Sequence, residues 1–326
     1  QGNIFIDCIN FLVGNIMKNK LITVVTPIFN EEDTVVNCYK QVKNEFSKLP
    51  YDYEHIFIDN ASVDKSIIKI KNIIKTDKNI KLIVNRKNYG HVKSPFYGLL
   101  QGSGVATILL HCDLQEPVNL FPKFIKNWEE GSQIVLAQKS SSTDGKFLSF
   151  LKKTYYHLIS KISNDGLIMN ITGAGIYDKF VIDVLKKIKD PYPYLRGLIC
   201  ELGFSISTVV YKQRVREKGT SKNNVIILYD SAMNGMVNHS TFALRIILIA
   251  GVILGIFSIA ISFLMLFLKI FNWDSFPLGY APFFISISFL IGTILISIGL
   301  VGEYIISIHR RLKQIPLVIE KERVNF

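Results

Sequence analysis

From Leu21 to Lys139 short apolar runs alternate with helix-compatible stretches, and nothing else in the chain restricts its fold as much. The runs are Leu21–Pro27, His55–Asp59, Lys81–Val84, Val105–Leu110 and Gln133–Lys139. Helical patterning fills Asp33–Phe46, Lys65–Ile74 and Val92–Leu100 between them. Such alternation means βαβ units and a mostly parallel sheet, an α/β fold. Right-handed crossovers bring the strand ends to one edge. Ligands of open α/β sheets bind just beyond the carboxyl ends of the strands. Three of the runs lead into polar groups there: Asn30 and Glu31, Asp59, and Asp113. One carboxylate at a strand end is ordinary; several converging on one rim imply a polar ligand.

Val105–Pro117 carries the sharpest signal. Its apolar run breaks off at His111-Cys112-Asp113-Leu114-Gln115-Glu116-Pro117. Asp113 and Gln115, on alternate residues, offer two hard oxygen ligands suited to a divalent cation and a diphosphate. A polar turn closing a strand is the plainer alternative. No G-x-G-x-x-G follows the first run, and no G-x-x-x-x-G-K-[ST] is present, so neither glycine-rich phosphate cradle applies. Side chains and a metal would hold the ligand instead.

The rest of the chain adds a different chemistry. Hydrophobic residues make up 49% of the 326, and the excess lies after Thr241. Ile246–Leu268 and Ala281–Gly302 carry no charge and reach the roughly 20 residues that a bilayer span requires. Lys222 and Arg245 precede them, and Arg310, Arg311 and Lys313 follow. By the positive-inside rule this predicts a two-helix transmembrane hairpin in a multi-pass protein of the inner (plasma) membrane, with the α/β domain and both termini cytoplasmic. Val225–Asn238 reads as an amphipathic interfacial helix. Lys146–Ile162 reads either as a helix on a membrane surface or as core packing. The expected divisions are an N-terminal extension (1–16), the α/β domain (17–222), an interfacial amphipathic segment (223–242), the hairpin (243–309) and a tail (310–326). With spans expected, the net charge of +12 suits anionic lipid and phosphorylated substrates rather than nucleic acid. Cys8, Cys38, Cys112 and Cys200 are scattered, without a C-x-x-C pair, which argues against a zinc site or a disulfide framework.

Four motifs occur in order: Pro27-x-Phe29-Asn30-Glu31, Asp59-Asn60-x-Ser62-x-Asp64, Asn88-x-Gly90, and Asp113-Leu114-Gln115-x-Pro117. Together they resemble the nucleotide-sugar motifs of glycosyltransferase family 2. Within it they are most similar to the polyprenyl-phosphate glycosyltransferases, the bactoprenol glucosyltransferases and dolichol-phosphate mannosyltransferases. The resemblance implies a glycosyltransferase A (Rossmann-like) domain that moves a sugar from a nucleotide-sugar, UDP-glucose or a related UDP-sugar, to polyprenyl phosphate. It places Pro27, Phe29, Asn30, Glu31, Asp59, Asn88, Lys93, Asp113 and Lys139 around the donor. It assigns Mg²⁺ or Mn²⁺ to Asp113 and Gln115, with His111 a further possible ligand. His111 stands where many relatives have the first acid of Asp-x-Asp, and Gly173 stands where many carry an acid near the acceptor phosphate. Arg216-Glu217-Lys218-Gly219-Thr220-Ser221-Lys222 is similar to the family's R-x-x-G-x-S-K motif, which implies an acceptor-phosphate cradle of Arg214, Arg216, Ser221 and Lys222. Asp113, Arg216 and Lys222 are the expected catalytic residues. Hairpin-anchored relatives often assemble, so a homo-oligomer is also implied. A GDP-mannose-dependent mannosyltransferase, or a scaffold that keeps the fold without turnover, are the alternatives.

Overall fold

The computed structural model describes residues 20–140, 168, 170–213 and 315–326, with isolated positions between 253 and 312. Eight strands form one sheet: β1 Leu21–Ile28, β2 Asp52–Asp59, β3 Ile80–Asn85, β4 Ala106–Leu109, β5 Ile134–Lys139, β6 Ile171–Asp178, β7 Ile206–Tyr211 and β8 Glu320–Val324. Its order is β7-β5-β6-β4-β1-β2-β3-β8. The pairs β1–β2, β1–β4, β2–β3 and β5–β7 are parallel. The β4–β6, β5–β6 and β3–β8 pairs are antiparallel. The expected mostly parallel α/β sheet is therefore present.

Helices cover both faces. α1 (Val35–Phe46), α2 (Ser66–Thr76) and α4 (Phe121–Glu129) bury Val35, Ile70 and Phe124 in one core layer with Val24 and Phe57 of the strands. α3 (Gly90–Leu99), α5 (Lys179–Lys187) and α6 (Leu195–Glu201) bury Phe96, Val181 and Ile199 in the other with Val25 and Ile58. Neighbouring strand residues thus face opposite cores. This explains why β1 and β2 read as continuous apolar runs rather than alternating ones.

Because β6 runs against its neighbours, its first residues reach the edge where β1–β5 and β7 end. Its two glycines hid it as a strand in the sequence. Gly175 lies opposite both Leu136 and Leu109, where an added Cβ would sit 2.9 Å from the Leu136 Cα. β8, too, lies in a segment that reads as a charged tail. It pairs with the edge strand β3, and its charges are tied down: Lys71 to Glu322 at 2.7 Å, Tyr97 hydroxyl to Glu320 at 2.9 Å, and Arg323 to the Gln101 carbonyl at 2.8 Å. Charged side chains suit an edge strand, because they discourage pairing with other chains.

One expectation is corrected. Among the described residues no helix is long and apolar enough to cross a membrane, so a multi-pass inner-membrane location with cytoplasmic termini is not supported. The physical reason is length and patterning. The longest of α1–α6 has 12 residues and buries only one face, against about 20 apolar residues for a span. Most of 246–268 and 281–302, the whole of the segments 146–162 and 223–242, and the N-terminal extension lie outside the described residues.

His55 lies in the middle of β2, fully buried, with Nε2 2.8 Å from the Thr26 hydroxyl and Nδ1 without a partner. Burial pushes its pKa down from 6.5 to about 3. The unfolded chain therefore binds one more proton than the native one across that window, so stability falls as the pH drops through it. Thermal unfolding should show a His55-dependent loss of up to about 1.4 kcal/mol per pH unit below 6.5. His55→Leu should flatten that slope, and an unchanged slope would contradict the assignment.

Candidate active site

The site is built where the strands end. The turn after β1 is stitched to the turn after β2. Asn30, at φ 55°, donates its N–H to the Ser62 hydroxyl at 2.8 Å, and its side-chain carbonyl accepts the Val63 N–H at 2.9 Å. Glu31 N–H donates to Ser66 at 3.0 Å, and Glu32 N–H to Asp64 at 3.0 Å. A left-handed backbone is costly for most residues but tolerated by Asn. Its occurrence here fixes the shape of the loop. Pro27 and Phe29, at the same strand end, are half-buried.

Asp59 closes β2 and is fully buried. Its Oδ2 accepts the Ser62 N–H at 2.9 Å, while Oδ1 has no partner among the described residues. Burial raises its pKa, only partly offset by hydrogen bonds from Ser62 and Ala61. Asn60 links the third turn. It donates to the Asn88 carbonyl at 2.7 Å and accepts from Tyr89 N–H at 2.8 Å and from Asn85 at 3.2 Å. Asn88 is exposed, and its Oδ1 is already engaged by Asn60 and by Gly90 N–H at 2.8 Å. Lys93, on α3, stands 3.8 Å over the Tyr192 ring. Lys139 ends β5 at the rim, half-buried.

β4 stops at Leu109, so His111–Glu116 form a turn rather than a strand end, with Leu114 at φ 53°. The turn meets the first loop directly: the Thr34 hydroxyl lies 3.5 Å from the Cys112 sulfur and donates to Glu31 at 2.7 Å. Asp113 is half-buried, and its one described bond accepts the Gln115 N–H at 3.3 Å. Gln115 accepts from the Gln213 amide at 2.6 Å through the oxygen it would offer a cation. His111 Nδ1 lies 3.1 Å from Glu116, which also accepts the Tyr211 hydroxyl at 3.0 Å and is 4% exposed. Burial opposes ionisation of Glu116, but His111, Thr172 and Tyr211 outweigh it and hold the carboxyl well below the usual range. Burial likewise opposes protonation of His111, and Glu116 outweighs it, raising the imidazole pKa. With Nδ1 engaged, Nε2 is the nitrogen left for a ligand.

His111, Asp113, Gln115, Glu116, Thr172 and Arg196 line one cavity of about 200 Å³. The sequence-predicted Asp113, Gln115 and His111 are thus brought together. Glu116, Thr172, Arg196, Tyr211 and Gln213 join them without having been singled out. Only Glu116 had a signal, its place inside the polar turn. The others arrive through β6, β7 and α6, which no local motif ties to that turn. Arg214, Arg216, Ser221 and Lys222 lie outside the described residues. Gly173 has φ 91°, and its carbonyl accepts the Tyr177 hydroxyl at 2.5 Å. That backbone favours glycine and would strain an acid placed there.

Among the described residues no three His, Cys, Asp or Glu side chains cluster as a metal cage. One carboxylate, an amide carbonyl and an imidazole nitrogen nevertheless fit a cation that takes its remaining ligands from substrate phosphates and water, as Mg²⁺ commonly does. The imidazole suits Mn²⁺ better than Mg²⁺.

A mostly parallel sheet whose carboxyl edge gathers polar turns defines a ligand-binding α/β domain. The family model described as Glycosyl transferase family 2 matches residues 23–185. The bactoprenol glucosyl transferase of Shigella phage SfX is 33% identical over 307 residues, covering 93% of this chain and 99% of that protein. The SfII prophage-derived bactoprenol glucosyl transferase of Shigella flexneri is 32% identical over 306 residues, covering 92% and 97%. A crystal structure of glucosyl-3-phosphoglycerate synthase from Mycobacterium tuberculosis, in complex with Mn²⁺, UDP-glucose and phosphoglyceric acid, is similar at 18% identity. It covers 67% of this chain and 78% of that one, with a TM-score of 0.49. The chain belongs to glycosyltransferase family 2, and it is a glycosyltransferase.

Proposed function

We propose that the protein transfers a hexose, glucose or a close relative, from a UDP-sugar to a polyprenyl phosphate such as undecaprenyl phosphate. The observation that carries this reading is the 32–33% identity, over more than nine-tenths of the chain, to proteins named bactoprenol glucosyl transferase. The rim geometry is consistent with it. Asn30, Glu31 and Asp59 would frame the nucleoside, where the unpartnered Asp59 Oδ1 is an acceptor that a base or ribose donor would satisfy. Asn88, Lys93 and Lys139 would flank the sugar diphosphate. Asp113 and Gln115, with His111 Nε2, would hold Mg²⁺ or Mn²⁺, which when bound neutralises charge on the diphosphate.

The chain's own part in the reaction is to position and to bind. An acceptor phosphate oxygen attacks C1 of the sugar as the bond from C1 to the UDP oxygen breaks, inverting the anomeric centre. Near neutral pH a phosphate monoester is already anionic, so it needs no base. This is consistent with glycine at position 173. Glu116, held by Tyr211 and Thr172, would fix the imidazole ring of His111. Arg214, Arg216, Ser221 and Lys222 remain the proposed acceptor-phosphate cradle.

Titration calorimetry with UDP and GDP separates the donors. UDP should bind at least about tenfold tighter, because a pocket built to hydrogen-bond one base leaves polar groups unpaired with another. Tighter binding of GDP would replace this reading with a GDP-mannose-dependent transferase.

A further inference from the structure

Arg196 is the second residue of α6, which follows the Asp190–Tyr194 turn. It is half-buried and lines the cavity beside Asp113 and Thr172. Among the described residues no carboxylate pairs with it, and no hydrogen bond engages its guanidinium. The nearby acid that could have neutralised it, Glu116, is already committed to His111 at 3.1 Å and to Tyr211 at 3.0 Å. A guanidinium drawn partly out of water with no bonded acceptor is costly, and bidentate binding of a phosphate or carboxylate offsets that cost. The cavity of about 200 Å³ holds several waters' worth of space, at about 30 Å³ each, enough for a phosphate group.

Two neighbours bear on how an anion would sit there. Asp113 shares the cavity, so an anion bound by Arg196 would meet like charge there unless it shared a cation with Asp113, as a diphosphate does well. Thr172, the second residue of β6, lies on the same wall, but its hydroxyl already serves Glu116 and leaves Arg196 to meet the anion. The turns framing the proposed nucleoside pocket follow β1–β3, whereas Arg196 enters beside β6 on the other half of the sheet. It therefore lies on the side where C1 and the two phosphate-bearing reactants would meet.

We propose that Arg196 binds a phosphate oxygen at the reacting centre, from either the donor diphosphate or the acceptor monoester. This rests on the transferase reading above and names a residue outside the four ordered motifs and outside the expected acceptor-phosphate cradle. Full-length wild type, Arg196→Gln and Arg196→Lys are compared. Calorimetry measures UDP and pyrophosphate affinity, and steady-state transfer measures the KM for UDP-glucose and for undecaprenyl phosphate. Thermal melting verifies that each variant is folded.

Arg196→Gln should weaken one phosphate-bearing species by about tenfold or more. Arg196→Lys should recover only part of this, because a point charge replaces a fork. Weaker UDP and pyrophosphate binding assigns the contact to the donor. A raised KM for undecaprenyl phosphate with unchanged UDP affinity assigns it to the acceptor. Changes below about twofold in every one of these quantities, in a folded Arg196→Gln protein, overturn the proposal. Should wild type transfer no sugar, the transferase reading falls, while the pyrophosphate measurement still decides whether Arg196 binds phosphate.

Discussion

Replacing Asp113 by Ala should reduce kcat/KM for sugar transfer by about a thousandfold or more, roughly 4 kcal/mol of transition-state stabilisation. Asp113 is the one carboxylate of the cavity not committed to another side chain, since Glu116 already serves His111 and Tyr211. The proposed reaction builds charge on a departing diphosphate, and a cation held by Asp113 is what would neutralise it. Removing the carboxylate should cost little stability, because its one described hydrogen bond is the 3.3 Å contact from Gln115 N–H. The expected pattern is therefore lost turnover in a protein that melts as wild type does. Asp113→Asn keeps the shape and loses the charge, so it should fall almost as far. Transfer within tenfold of wild type in either variant would show that the diphosphate is held elsewhere on the rim.

Gly175→Ala should destabilise the catalytic domain by about 3 kcal/mol or more. β6 lies between β5 and β4, with Gly175 opposite Leu136 on one side and Leu109 on the other. An ideal Cβ there would overlap the Val135 carbonyl oxygen and sit 2.9 Å from the Leu136 Cα. Both are backbone atoms of a paired strand and cannot rotate away. Relief would require β5 and β6 to separate, which would displace Thr172 and Lys139 from the rim. A circular-dichroism melt or a urea titration measures the effect. A melting temperature within about 2 °C of wild type would mean that the strand pair can open at little cost.

These two residues mark what could be read from sequence and what could not. Asp113 was legible because its turn follows an apolar run, and because the ends of parallel strands share an edge. The same logic located Asn30, Glu31 and Asp59, and all four lie at that edge. Boundaries were less sharp. β4 ends at Leu109, so the motif sits on a turn with its own left-handed residue, Leu114. Asp178, at the end of β6, caps the helix after it by accepting the Phe180 N–H at 2.8 Å.

Gly175, Arg196 and β8 were hidden for a common reason, which is that each depends on non-local pairing. The glycines of β6 look like breakers until the approach of β5 explains one of them. Glu320–Val324 lacks an apolar run, because an edge strand is held by its backbone and by ion pairs rather than by burial. Arg196 opens a short helix after a Pro- and Tyr-rich turn, and only the antiparallel insertion of β6 carries that region to the site. The His111–Glu116 pair was half legible. The imidazole could be read as an unusual member of the motif, but its carboxylate partner emerged only once the turn was folded.

On the proposed function, a UDP-sugar and a polyprenyl phosphate react at the edge of this sheet. The most direct test incubates the purified full-length protein with UDP-[¹⁴C]glucose, undecaprenyl phosphate and Mn²⁺, then partitions the products between water and organic solvent. Label should pass into the organic phase as an acid-labile glycolipid with wild type, and remain in water with Asp113→Ala. Label that stays in water with wild type, for UDP-glucose and for every other UDP-sugar tried, would contradict the account.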